Sequence, residues 1–135
     1  MNALKFIKAG KAFFTVTSRK TGKRFTYKVS TPKGKQEEGP WFVSLLTGQD
    51  NENDYKFFGT LFADGSYRYS VKKARLQCTA PGVMAWDWFF EKLTAGTHEA
   101  QCEVHHCGKC GRCGRKLTVP QSIESGFGPE CAGMV

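Results

Sequence analysis

The chain has 135 residues, of which 40% are hydrophobic and 24% are charged, and its net charge is +8. This length fits one domain with a small appended module. No stretch approaches the roughly 18 apolar residues of a membrane-spanning helix, so we expect no such helix and no membrane partner. Lys5, Lys8 and Lys11 interrupt the apolar runs near the N-terminus, so we expect no export signal and a cytoplasmic protein with reduced cysteines.

The first half of the chain predicts β-strands joined by short turns. Residues 13–17 and 24–29 are rich in aromatic and β-branched side chains and flank a turn that contains Gly22, which predicts a hairpin. Residues 41–46 predict a third strand. Residues 55–62 and 67–71 predict two more around the turn at Asp64 and Gly65. We therefore expect a five-stranded antiparallel meander or a small open barrel.

A helix follows the predicted strands. Apolar residues recur at helical spacing after Pro81, namely Val83, Trp86, Phe89, Phe90 and Leu93. Gly96 is a natural C-terminal stop, so the helix is expected over about 81–95, with its aromatic stripe packed across the sheet. The predicted fold class is α+β. We expect residues 1–98 to form a basic β-rich domain and residues 99–135 to form a zinc-knuckle or zinc-ribbon-like module packed on it.

Cysteines near the C-terminus have the spacing of metal ligands. Cys110 and Cys113 form a C-x-x-C pair with glycine both inside and after it, which suits a tight turn around a tetrahedral Zn²⁺ ion. Cys131 is the one sulfur downstream, so a site closed from both sides must use it. Spacing leaves His106 and Cys107 equally open as the fourth ligand. The predicted cofactor is one structural Zn²⁺.

The same region resembles a known family. The run Cys-Gly-Arg-Cys-Gly-Arg-Lys-Leu-Thr, followed by Pro, Ser-Ile and Gly-Phe-Gly-Pro-Glu-Cys, is similar to the C-terminal signature of small uncharacterised phage and prophage proteins. The resemblance is strongest over residues 106–133. In that family a His stands four residues before the first knuckle Cys, which implies His106, Cys110, Cys113 and Cys131 as ligands and Cys107 as an extra thiol. It also implies a phage-encoded protein in a bacterial host.

Basic residues occur in clusters, which predict contact with phosphates or with an acidic protein surface. Aromatic candidates for stacking on bases are Tyr27, Tyr67 and Tyr69. The predicted partner-binding residues lie around the knuckle, in the first hairpin and after the fifth strand, and they are Lys109, Arg112, Arg115, Lys116, Arg19, Lys20, Lys23, Arg24, Lys72, Lys73 and Arg75.

The motifs of zinc deaminases, HNH nucleases, serine hydrolases and P-loop enzymes do not occur, so we expect no enzymatic activity and no small-molecule substrate. The favoured function is a zinc-stabilised protein that binds nucleic acid or a nucleoprotein complex. The alternative is a phage inhibitor of a host defence complex, of the anti-CRISPR or anti-restriction type, which acts by protein–protein binding.

Overall fold

The computed structural model describes residues 2–32, 34–36, 38–50, 52–117, 125–128 and 132. Its helices and strands follow in the order α1 (Ala3–Ile7), β1 (Lys11–Ser18), β2 (Arg24–Ser30), β3 (Trp41–Leu46), β4 (Tyr55–Leu61), β5 (Tyr67–Tyr69), α2 (Pro81–Ala95), a 3-10 helix (His98–Ala100) and β6 (Cys102–His106). None of the described helices has the length and apolar character required to cross a membrane.

The strands form one open antiparallel sheet in the order β5-β4-β3-β2-β1-β6. The first five strands are the expected meander, and β6 adds to it beside β1 instead of beside its chain neighbour β5. A β-bulge in β4 shifts the register between Val43 and Ser44, so that Val43 pairs with Gly59 and Ser44 pairs with Phe57. The sheet therefore has one extra strand, and the barrel expected as an alternative does not form.

Helix α2 covers one face of the sheet. Pro81 occupies its first turn, and Gly96 ends it in the left-handed conformation with φ of 75°. Trp86 is fully buried and contacts Phe14, Tyr27 and Phe58 from three different strands. Burial of a side chain of this size contributes roughly 1.5–3 kcal/mol. The aromatic stripe predicted from the helical spacing is thus the centre of the core.

The second face of the sheet is not covered by α2, and we call it the open face. In β1, Ala12, Phe14 and Val16 point toward α2, so alternation places Lys11, Phe13 and Thr15 on the open face. Their cross-strand partners share that face, and they include Lys28 and Thr26 in β2. The C-terminal residues described below pack at the β1–β6 edge, next to the open face.

Candidate functional site

The knuckle, residues 107–117, folds back on itself and is bonded to the sheet. Lys109 and Lys116 form an antiparallel bridge, and the backbone N–H of Cys110 donates to the Arg115 carbonyl at 2.8 Å. The N–H of Lys11, the first residue of β1, donates to the Gly111 carbonyl at 2.8 Å. The knuckle is thereby fixed to the start of β1.

Two glycines make this docking possible. A Cβ on Gly111 would lie 2.5 Å from ring atoms of Phe6, which is closer than any real side chain approaches. Gly114 has φ of 78°, a left-handed conformation that strains residues with a side chain. The glycine pattern of the sequence therefore reflects a close approach at Gly111 and a turn at Gly114.

The sulfur of Cys110 lies in a site that favours a thiolate. The side chain is fully buried, and burial alone would raise the pKa of its thiol. Hydrogen bonding by the backbones of Gly128, Cys113 and Arg112 and by the Cys113 side chain offsets this effect and holds the pKa of Cys110 below its usual value. These hydrogen bonds bring the two knuckle cysteines together and place the loop at 125–128 against them.

His106 and Cys107, the two candidates for the fourth ligand, lie on opposite faces of the sheet edge. His106 pairs with Phe14, and its ring packs 5.9 Å from the ring of Phe6, on the α2 side. The Cys107 sulfur lies 4.0 Å from the Thr15 hydroxyl on the open face. His106 thus lies on the same side of the sheet as Phe6, whose ring contacts the knuckle. The Cys107 sulfur lies on the other side.

The ring of His106 accepts a hydrogen bond from the turn that follows it. The backbone N–H of Gly108 donates to Nδ1 at 3.0 Å, so the proton of the neutral ring lies on Nε2. A metal bound to Nδ1 would replace this hydrogen bond. A metal bound to Nε2 would require a proton on Nδ1, which would face the Gly108 N–H. Either nitrogen can bind a metal only after this hydrogen bond is given up.

Within the ranges that the structure describes, no group of three or more His, Cys, Asp or Glu side chains is arranged to hold a metal ion. Cys131, the predicted downstream ligand, lies outside those ranges. The described residues nearest to it in the sequence are Gly128 and Ala132, and the Ala132 N–H donates to the Gly128 carbonyl at 2.8 Å. The predicted sulfur ligands that the structure describes are therefore Cys110 and Cys113. The identification of the module as a zinc knuckle stays a prediction.

A groove of about 630 Å³ lies between the knuckle and the open face, and we call it the lysine groove. Two of its lysines come from the knuckle bridge and two come from the first two strands. Of the described residues that line it, the basic ones are Lys11, Lys28, Lys109 and Lys116, and the acidic one is Glu52. Burial lowers the pKa of Lys28, and the positive charge of Lys11 lowers it further.

Aromatic rings lie beneath two of these lysines. The Lys109 ammonium lies 4.4 Å from the centroid of the Phe13 ring, and the Lys28 ammonium lies 5.3 Å from that of Tyr55. The two rings meet edge-to-face with centroids 5.6 Å apart. Both are almost fully buried. The rings therefore position the ammonium groups and are not themselves open to a ligand.

The acidic turn at residues 47–54 approaches the same groove. Glu52 lines it. Hydrogen bonds from the Asn53 side chain and the Glu52 backbone lower the pKa of Asp50, and the charge of Lys109 contributes in the same direction. The turn thus places negatively charged side chains at the edge of the lysine groove.

The remaining predicted partner-binding residues lie elsewhere. Arg19 forms an ion pair of 2.9 Å with Glu103, and it shares the exposed β1–β2 turn region with Lys20, Lys23 and Arg24. That turn is at the end of β1 opposite the knuckle. The exposed residues Lys72, Lys73 and Arg75 follow β5, on the far edge of the sheet. Arg112 is half-buried and Arg115 is exposed in the knuckle. The structure brings only Lys109 and Lys116 of the predicted set into the lysine groove.

The tyrosines expected to stack on bases pack against the hydrophobic core. Tyr27 is buried and donates its hydroxyl to the Gly82 carbonyl at 2.7 Å. Tyr67 packs 5.8 Å from Trp86, and Tyr69 donates to the Leu76 carbonyl at 2.6 Å. All three lie on the α2 side. The expectation was wrong for Tyr27, which is buried, whereas Tyr67 and Tyr69 are half-buried and their role stays a prediction. Sequence reasoning missed Lys11 and Phe13 in the groove, although strand alternation within residues 11–17 places them together on one face.

Comparison with protein families gives a match over the C-terminal part of the chain. A model described as "Family of unknown function (DUF6011)" matches residues 94–135, which run from the end of α2 through β6 and the knuckle to the C-terminus. The C-terminal segment is thus similar to a family of unknown function, in agreement with part of the resemblance noted from its motif. No curated protein and no solved structure shows significant similarity to the chain.

Proposed function

We propose that this protein is a non-enzymatic nucleic-acid-binding module whose knuckle is held by one structural Zn²⁺. The observation that carries the proposal is the lysine groove, where Lys11 and Lys28 of the sheet meet Lys109 and Lys116 of the knuckle. Four cations that line one groove attract a phosphate placed between them, and a phosphate that is neutralised releases its counterions. The natural ligand of such a groove is a phosphodiester backbone.

The sulfur chemistry of the knuckle supports the zinc part of the proposal. Hydrogen bonding by neighbouring backbone groups and by the Cys113 side chain lowers the pKa of Cys110, which favours the thiolate form that binds zinc. Cys110, Cys113 and Cys131 would hold the ion together with His106, whose ring would have to give up its hydrogen bond with the Gly108 N–H. When bound, Zn²⁺ closes the knuckle against the loop at 125–128 and so fixes the backbone that carries Lys109 and Lys116.

Fluorescence anisotropy of a labelled 12-nucleotide oligonucleotide tests this function. We expect saturable binding that weakens as salt increases from about 50 to 200 mM. Lys109→Gln should reduce both the affinity and the slope of log affinity against log salt, the slope by about one unit. Lys20→Gln removes the same charge in the exposed β1–β2 turn, at the end of β1 opposite the knuckle, and should leave the slope unchanged. Equal effects of the two substitutions would contradict binding in the groove.

A second candidate function, protein–protein binding, is favoured by an apolar groove of about 460 Å³ on the α2 side. Met84, Trp88 and Phe25 line it together with Lys23, and the Met84 side chain is 56% exposed. An apolar anchor residue flanked by acidic residues would fit this site. The proposed partner is therefore an acidic segment of a host protein, as expected of an inhibitor of a host defence complex.

Affinity capture from a nuclease-treated bacterial lysate tests this second function. A specific partner retained by the wild type and lost with Met84→Asp would support it, because a carboxylate in an apolar groove repels both the apolar anchor and acidic neighbours. Retention by Met84→Asp and loss with Lys109→Gln would instead assign the partner to the lysine groove.

A further inference from the structure

A single row of side chains crosses the open face from the lysine groove to the opposite edge of the sheet. The strand register pairs Lys11 with Ser30, Ser30 with Phe42, Phe42 with Thr60, and Thr60 with Arg68. Directly paired residues of neighbouring antiparallel strands point to the same face. The row covers five strands, or roughly 19 Å at the usual strand spacing of about 4.8 Å. It begins and ends with a cation.

The middle of this row is an exposed aromatic ring. Phe42 is 37% exposed, in contrast to the nearly buried Phe13 and Tyr55. The Phe57 ring supports it edge-to-face with centroids 5.9 Å apart. Phe42 lies two strand spacings from Lys11, a distance of roughly 10 Å. About three nucleotides of a stacked strand, at roughly 3.4 Å each, span this distance. The open face therefore offers a platform for a base at a distance that a strand held in the groove can reach.

We propose that the ligand is a single strand of nucleic acid, which leaves the lysine groove and crosses the sheet toward Arg68 with a base stacked on Phe42. This inference rests on the proposed function and specifies its ligand. A duplex offers phosphates to the lysines, but its bases are stacked on one another and cannot lie on a protein ring. A single strand offers both phosphates and base faces.

The deciding experiment measures anisotropy with 12-nucleotide oligothymidine, with oligouridine of the same length, and with a 12-base-pair duplex. We expect the wild-type protein to bind the single strands more tightly than the duplex. Phe42→Leu keeps an apolar side chain at this position but removes the ring, and should weaken single-strand binding by roughly tenfold to one-hundredfold. Phe42→Trp should restore it, with quenching of the new tryptophan fluorescence. Leu4→Ala, which removes an equally exposed apolar side chain on α1, is the control and should bind as the wild type.

The outcomes separate this inference from the function on which it rests. Equal binding of single strands and duplex that is unaffected by Phe42→Leu but weakened by Lys109→Gln would overturn the stacking path and leave the lysine groove as a phosphate site. Absence of binding to all three probes at about 50 mM salt would overturn both. Circular dichroism of Phe42→Leu that matches the wild type shows that a loss of binding is not a loss of fold.

Discussion

At the scale of residues, the site is defined by which cations come together and what they face. Four lysines meet in one groove, and the Phe13 and Tyr55 rings hold two of their ammonium groups in place. By contrast, Arg19 is engaged by Glu103. A count of basic residues treats Arg19 and the four lysines alike. Their contacts differ, so they are not equivalent as phosphate ligands.

Glu52 provides a test at this scale. Its carboxylate lines the lysine groove and repels phosphate there. Glu52→Gln should therefore tighten oligonucleotide binding by about threefold to tenfold at low salt, an effect that should fade above roughly 0.5 M salt as charges are screened. Anisotropy titrations measure it. Glu91→Gln, an exposed carboxylate on α2, is the matched control, and an equal gain in both variants would show that only net charge matters.

At the scale of elements, the knuckle and the sheet are one packed structure. Phe6 of α1 contacts Phe14 in β1, His106 in β6 and Phe127 beyond the knuckle. Cys110 and Phe127 belong to the same buried cluster as Trp86. The position of the knuckle lysines over the sheet thus depends on core packing as well as on any metal.

Gly111 is the position where this packing can be tested. Gly111→Ala would place a methyl group 2.5 Å from the Phe6 ring and should destabilise the protein by about 1–3 kcal/mol. A Cβ on Gly128, in the neighbouring loop, meets no described atom within 4 Å, so Gly128→Ala should cost less than about 0.5 kcal/mol. Urea unfolding followed by tryptophan fluorescence measures the difference. Equal stability of the two variants would contradict the tight contact.

The predicted zinc ligands can be tested by a pair of cysteine variants. Cys113→Ser should abolish stoichiometric zinc and increase amide exchange across residues 105–117, whereas the amides of β2 to β4 stay protected. Cys107→Ser changes a thiol on the other face and should retain one zinc per chain. Metal analysis and hydrogen exchange are the measurements. Zinc lost from Cys107→Ser and kept by Cys113→Ser would reverse the ligand assignment.

At the scale of the whole molecule, elements marked by local sequence patterns could be predicted, whereas pairings between distant parts of the chain could not. The meander and α2 follow from hydrophobic periods and turn residues, so the sequence indicates them directly. The pairing of β6 with β1 joins residues about ninety positions apart, and no local signal marks it. Yet this pairing is what brings Lys109 and Lys116 over Lys11 and Lys28, so the groove could not be read from the sequence.

The burial of Tyr27, which was expected to stack on bases, has a similar cause. Tyr27 and Lys28 are adjacent, and the sequence does not say which of the two faces of their strand α2 will cover. Tyr27 points to α2 and is buried, and Lys28 points to the open face. In β4, the bulge turns Phe58 into the core and leaves Phe57 on the open face. Helix α1 has only five residues, too few for a hydrophobic period to reveal it.

The central claim is that the protein binds nucleic acid in the groove between its knuckle and the open face of its sheet. The most direct measurement is a titration of the ¹⁵N-labelled, zinc-loaded protein with a 12-nucleotide single strand, followed by two-dimensional amide NMR. We expect shift changes to concentrate at Lys11, Phe13, Lys28, Lys109 and Lys116 and to extend to Phe42. Changes confined to the β1–β2 turn or to α2, or no changes at saturating oligonucleotide, would contradict the claim.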